Sequence, residues 1–173
     1  MTGLADAAPM QHLMLAPVLL PLLVAALMLL LGEERHRLKM ALNVGSCAVL
    51  LGVSCLLLLR AANEGAPQAV GVYLPGNWQA PFGIVLALDR LSALMLVLTS
   101  LVGLAAALFA CARWHRVGVH FHVLFQLQLM GLAGAFLTAD LFNLFVFFEV
   151  TLAASYGLLL HGSGRARVLS GMH

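Results

Sequence analysis

The chain has 173 residues, 62% of them hydrophobic and 9% charged, with a mean hydropathy of +1.01 and a formal net charge of +2. A soluble domain carries roughly 25% charged residues, so this composition excludes an ordinary soluble protein and points to an integral membrane one. So small a net charge gives no footing for a nucleic-acid partner, and the basic residues form short clusters between apolar runs, where they orient helices relative to the bilayer.

A helix crossing an approximately 30 Å hydrocarbon core needs about 20 apolar residues, and only helices or closed barrels satisfy their backbone there. Five segments meet this demand: Leu13–Leu31, Met40–Leu59, Leu91–Cys111, His122–Leu137 and Leu141–Leu160. The expected fold class is all-α, a polytopic membrane protein of about five transmembrane helices in contact with lipid. No Lys or Arg precedes the first run, which exceeds the roughly 7–15 residues of a signal-peptide core and therefore reads as a retained helix. Its Pro17 and Pro21 are tolerated near the end of a membrane helix.

Arg35, Arg37 and Lys39 follow the first segment, Arg113 and Arg116 the third, and Arg165 and Arg167 the fifth, whereas the opposite loops hold only Arg60 and Arg90. The positive-inside bias then places the N-terminus outside and the tail in the cytoplasm. Cys47, Cys55 and Cys111 lie inside apolar runs without CxxC spacing, and read as buried thiols rather than a disulfide framework or zinc site.

The connection from Arg60 to Leu88 contains Gly65, Pro67, Gly71, Pro75, Gly76, Asn77, Pro81 and Gly83 interleaved with Val70, Val72, Tyr73 and Trp78. It reads as a turn-rich external hairpin between helices 2 and 3. Tyr73, Trp78 and Phe82 suit an interfacial aromatic belt. Asp89 with Ser92 has the spacing of a helix N-cap. His120 and His122, two apart on a helix, point about 200° from each other and cannot chelate jointly, so no metal or other cofactor is expected.

His122 and Gln126 share a face of the fourth segment, where Gln128 is also polar. They would line a water path or hydrogen-bond across helices, and the sequence leaves both readings open. Gly131 and Gly134 permit close helix approach. The three-residue connection Thr138-Ala139-Asp140 predicts a tight antiparallel pair between the fourth and fifth helices. Asp140 at the start of the fifth caps exposed N–H groups or takes part in ion entry.

Glu149 carries the strongest signal. It lies nine residues beyond Asp140, about 13 Å deeper along the helix. A charge at that depth costs at least about 2.5–3.5 kcal/mol, and such residues characteristically relay ions or protons. Phe142, Phe145, Val146, Leu152, Ala153 and Tyr156 share its face. Burial among such side chains favours the protonated form of a carboxyl, and a nearby cation opposes that. Every Lys and Arg of this chain belongs to a loop or helix end, so a cationic partner would come from elsewhere. The alternative is a neutral, hydrogen-bonded structural carboxyl.

The runs Phe82-Gly-Ile-Val-Leu-Ala-Leu-Asp89-Arg-Leu-Ser-Ala-Leu-Met95 and Gly134-Ala-Phe-Leu-Thr-Ala-Asp140-Leu-Phe-Asn-Leu-Phe-Val-Phe-Phe-Glu149-Val resemble the antiporter-like membrane subunits. The second run, continued by Ala-Ser-Tyr-Gly-Leu-Leu-Leu-His-Gly, is similar to the D-type subunit of the multisubunit Mrp-type cation/proton antiporters. The first is shared more broadly with the proton-pumping subunits of respiratory complex I. The resemblance covers about Leu13 to Arg167, corresponding to the amino-terminal third of a family member, which has about fourteen helices with two inverted five-helix repeats.

It implies a subunit fragment of a hetero-oligomeric bacterial inner-membrane antiporter exchanging Na⁺ or K⁺ for H⁺, and a transporter rather than an enzyme. Glu149 matches the family glutamate of the fifth helix; the partner lysine of the seventh has no counterpart here. The rival expectations are a proton-translocating subunit of complex I or of a membrane hydrogenase, and a non-transporting membrane scaffold or truncated remnant.

Overall fold

A computed structural model describes residues 12–32, 34–63, 71–78, 83–113 and 120–161. One 3₁₀ turn, His12–Leu15, leads into helix α1 (Ala16–Leu30). Pro17 sits in the first turn of α1, where a missing N–H removes no helix hydrogen bond. Helices α2 (His36–Asn63), α3 (Arg90–Arg113), α4 (Phe121–Leu137) and α5 (Leu141–Leu159) follow in order.

The five helices correspond to the five expected segments, with ends that differ for a physical reason. Helix α2 runs 28 residues, through His36-Arg37-Leu38-Lys39 at one end and Arg60–Asn63 at the other. Hydropathy marks where hydrocarbon ends, but the helix keeps making its own backbone hydrogen bonds into the interface, where charged side chains are at home. Four stretches, His12–Leu30, His36–Ala62, Arg90–Ala112 and Leu141–Leu159, are long and apolar enough to cross a membrane. Helix α4, with 17 residues, is shorter, about 25 Å at 1.5 Å per residue. The chain is a multi-pass membrane protein.

Helix α4 lies centrally, packed against α1, α3 and α5, while α2 pairs with α3. Its buried residues include His122, Gln126, Leu129, Met130, Ala133 and Leu137. The three thiols are free, but only Cys47 is buried as expected; Cys55 is exposed and Cys111 half-buried. An apolar run marks a helix as membrane-embedded without saying which of its faces meets the other helices.

Between α2 and α3, strands β1 (Gly71–Tyr73) and β2 (Leu86–Leu88) form an antiparallel pair with Val72 opposite Ala87. Gly76, in the short 3₁₀ turn Pro75–Asn77, has a φ of 71°, a left-handed conformation that favours glycine. The hairpin does more than cover the surface. Leu86 and Leu88 are buried with Met14, Leu57, Ala61, Leu96 and Leu137, so β2 closes this end of the bundle.

Three polar contacts hold the closure. The Ala139 N–H donates to the Val85 carbonyl at 2.9 Å. Arg90 Nε donates to the Ala61 carbonyl at 3.1 Å, satisfying an acceptor in the last turn of α2. His12 Nδ1 and the Tyr73 hydroxyl lie 2.8 Å apart. Trp78 is exposed, as an interfacial aromatic should be. Gly65, Pro67, Val70, Pro81, Phe82, Arg116, Arg165 and Arg167 lie outside the described residues.

Candidate functional site

The α4–α5 pair sets where Glu149 points. Three residues, Thr138 to Asp140, separate the two helices, and Asp140 starts α5 as its N-cap. One carboxylate oxygen of Asp140 accepts from the Phe142 N–H at 2.9 Å and the other from Asn143 Nδ2 at 2.8 Å. Both oxygens are thereby engaged in ordering the first turn, the arrangement expected of a cap.

Rotation of α5 is keyed by two glycines of α4. A Cβ added at Gly134 would run into the Phe147 ring, and one at Gly131 would collide with Thr151 Oγ1. Gly157 contributes a third close approach, since its Cβ would stand 2.9 Å from Leu124 Cδ2. Phe147 and Thr151 therefore face α4. Glu149, two residues from each, points about 200° away from both.

Glu149 is accordingly exposed on the side of α5 that no described helix covers. Its same-face neighbours are open as well: Phe142, Phe145, Leu152 and Tyr156 are 73, 61, 49 and 57% exposed. Of the four membrane-length helices, α5 buries the least of its surface. The aromatic and apolar lining expected from the sequence is on the right face, but it lies outside the five-helix arrangement rather than within it.

His122 and Gln126 belong to a different site, and both are buried. Gln126 Nε2 donates to Asn43 Oδ1 at 2.8 Å and to the Asn43 carbonyl at 3.3 Å, and Gln126 Oε1 accepts from the Ser46 hydroxyl at 3.2 Å. This amide clasp joins α2 to α4 across the bundle. His122 stands one turn before Gln126, its ring 5.4 Å from that of Phe121. Asn43 and Ser46 were not singled out from the sequence, and Lys39, counted there among the loop charges, lies buried in the first turn of α2; their spacing of four and three along one face of α2 was a usable signal.

The structure thus does not bring the expected residues together. Asp140 caps the start of α5 and Glu149 lies mid-helix, while Gln126, one turn beyond His122 on α4, is turned toward α2. Among the described residues no group of three or more His, Cys, Asp or Glu side chains is placed to hold a metal.

No protein-family model matches the chain. A probable K⁺/H⁺ antiporter D subunit of Rhizobium meliloti is 58% identical over 165 residues, covering 95% of this chain and 31% of the relative. The chain is a relative of the antiporter D subunits. A Na⁺/H⁺ antiporter D subunit of Alkalihalophilus pseudofirmus is 39% identical over 155 residues, covering 88% of this chain and 30% of its own length.

Among solved structures, the Mrp complex from a Dietzia species contains a chain that superposes with a TM-score of 0.81 at 32% identity, over 94% of this chain and 30% of that one. A membrane-bound sulfane sulfur reductase superposes with a TM-score of 0.80 at 23% identity, covering 93% of this chain and 33% of that one, which shows a shared fold. The chain spans about a third of the length of the relatives it matches.

Proposed function

We propose that this chain forms the amino-terminal part of an antiporter-like membrane domain, in a subunit of a hetero-oligomeric antiporter that exchanges Na⁺ or K⁺ for H⁺ across a bacterial inner membrane. Proton motive force drives the exchange. The observation that carries this reading is the position of Glu149: ninth of the nineteen residues of α5, on a face of that helix that no described helix covers. The relatives named as K⁺/H⁺ and Na⁺/H⁺ antiporter subunits support it independently.

The chemistry follows from the placement. A carboxyl at mid-helix depth that loses water to a covering protein segment is stable when protonated or when paired with a cation, and a movable or titratable cation switches it between these states. Glu149 then takes up a proton in one state and releases it in the other. The covering segment belongs to the remainder of a longer subunit or to a neighbouring subunit, and supplies the cation. Asp140 orders the start of α5. The loop charges orient the bundle with the hairpin end outside and the Arg35–Lys39 end in the cytoplasm.

The test is Glu149→Gln in the full-length subunit within its complex, assayed in membrane vesicles with a pH-sensitive dye. The amide keeps shape and hydrogen bonding but holds no titratable proton, so cation-dependent proton flux collapses while assembly persists. Normal flux from an assembled Glu149→Gln complex would refute the proton-carrying role.

A further inference from the structure

One turn nearer the Arg35–Lys39 end than the amide clasp, α2 buries a lysine. Lys39 is 3% exposed, and it makes no ion pair with any described residue. Glu34, the described carboxylate nearest to it in sequence, is exposed. Four residues on, Asn43 is fully buried; its Oδ1 is taken by Gln126, but its Nδ2 has no hydrogen-bond partner.

The register sets these groups on one face of α2. Residues four apart share a helix face, and side chains lean toward the helix N-terminus, so the Asn43 amide leans over the turn that carries Lys39. Helices α2 and α4 run parallel, because α3 between them reverses the chain once in each connection. His122 on α4, one turn before Gln126, therefore stands at the level of Lys39, and it too is 3% exposed.

A fully buried amide N–H without an acceptor is costly, a lysine packed this closely with no ion pair lacks a counter-charge, and an anionic oxygen answers both. The clasp above supplies no negative charge, since its oxygens belong to neutral amides that already accept from Ser46 and Gln126. We propose that the Lys39–Asn43 turn binds a phosphate-type oxyanion, brought by an anionic lipid headgroup or by free phosphate. Lys39 supplies the charge, Asn43 Nδ2 the directed hydrogen bond, and His122 the opposite wall. Basic pockets between helices at the cytoplasmic boundary are suited to such headgroups. The inference does not depend on the role of Glu149.

The test uses the complex containing the full chain, delipidated in a neutral detergent and titrated with phosphatidylglycerol, with phosphatidylcholine as control, or with inorganic phosphate. Bound lipid is read by native mass spectrometry, and binding of either probe by the shift in thermal midpoint. Phosphatidylglycerol is expected to bind and stabilise where phosphatidylcholine does not. Stabilisation by inorganic phosphate alone would assign the site to the free anion.

Lys39→Arg retains binding. Asn43→Asp is nearly isosteric and still accepts from Gln126, but it sets a carboxylate beside Lys39 and replaces the N–H, so affinity falls roughly tenfold or more. Wild-type protein that binds neither probe, or Asn43→Asp protein that binds as tightly as wild type, would overturn the proposal.

Discussion

Replacing Gly134 with alanine adds one methyl group where the Phe147 ring lies. Neither partner can yield cheaply. The ring belongs to α5, and α4 is packed against α1 on its other side. Overpacking of this kind costs typically about 1–3 kcal/mol, the size of the distortion needed to move the ring or turn α5 about its axis. Gly52→Ala is the control: a Cβ there meets nothing within 4 Å, so it gains only helix propensity, worth up to about 1 kcal/mol. The thermal midpoint of the purified complex, scanned at one fixed rate, is expected to fall for Gly134→Ala and to hold or rise for Gly52→Ala. Adding Phe147→Ala to Gly134→Ala relieves the clash, so the two changes are not additive. If Gly134→Ala matched Gly52→Ala, or the double variant lost the sum of the single losses, the α4–α5 contact would not set the direction of Glu149.

Gln126→Leu leaves Asn43 Oδ1 and the Ser46 hydroxyl without their partner, at a cost of about 1–3 kcal/mol. It lowers the thermal midpoint while proton flux per assembled complex stays unchanged; a normal midpoint with lost flux would instead place Gln126 on the conducting path. Asp140→Asn keeps most of the cap and Asp140→Ala loses about 1 kcal/mol, so midpoints should rank wild type, Asn, Ala. Equal loss of flux in both variants would give Asp140 a role in ion entry. Asp89 accepts from the Ser92 N–H at 2.6 Å, which, ahead of a second bond from the Ser92 hydroxyl, holds its carboxyl below the usual 3.8. Its stabilising effect is therefore complete above that value and is lost as pH falls through the lower folded-state value. Wild-type midpoints should converge on those of Asp89→Asn in that acid range, and parallel curves would refute the cap.

How much of this was legible in the sequence depends on the kind of signal. The helices were, because an apolar run of membrane length has few other solutions, and so was the α4–α5 hairpin, because three residues allow no other path. Asp140 and Asp89 were readable as caps from their positions at helix starts. The burial of Leu86 and Leu88 was not visible, since Leu86-Ala87-Leu88 reads equally well as the approach to α3; their packing in the core and the bridge to Thr138 show that this strand plugs the bundle. The direction of Glu149 was also hidden. Periodicity gives the residues that share its face, but which face meets α4 is decided by where Gly131 and Gly134 leave room for Phe147 and Thr151. The Asn43–Gln126 clasp needed two residues 83 positions apart to be seen as neighbours.

The two polar sites of the chain answer different physical demands. Gln126 is fully buried and committed through both ends of its amide to α2. An amide held this way neither gains nor loses a proton near neutral pH, and beyond it Leu50, Leu129 and Ala133 are apolar and buried. That arrangement suits holding helices together better than conducting. Glu149 is the reverse: it is a carboxyl, makes no hydrogen bond with a described residue, and faces outward. A carboxylate left against lipid at that depth would be costly, which is why the proposed function gives the open face of α5 a protein cover with polar or cationic groups of its own. The fixed side of α5 is built from glycine contacts to α4, and the side that no described helix covers carries Glu149. Under the proposed role, a proton site between a rigid helix and a separate covering segment would respond to movement of that segment alone, as coupling proton binding to a second ion requires.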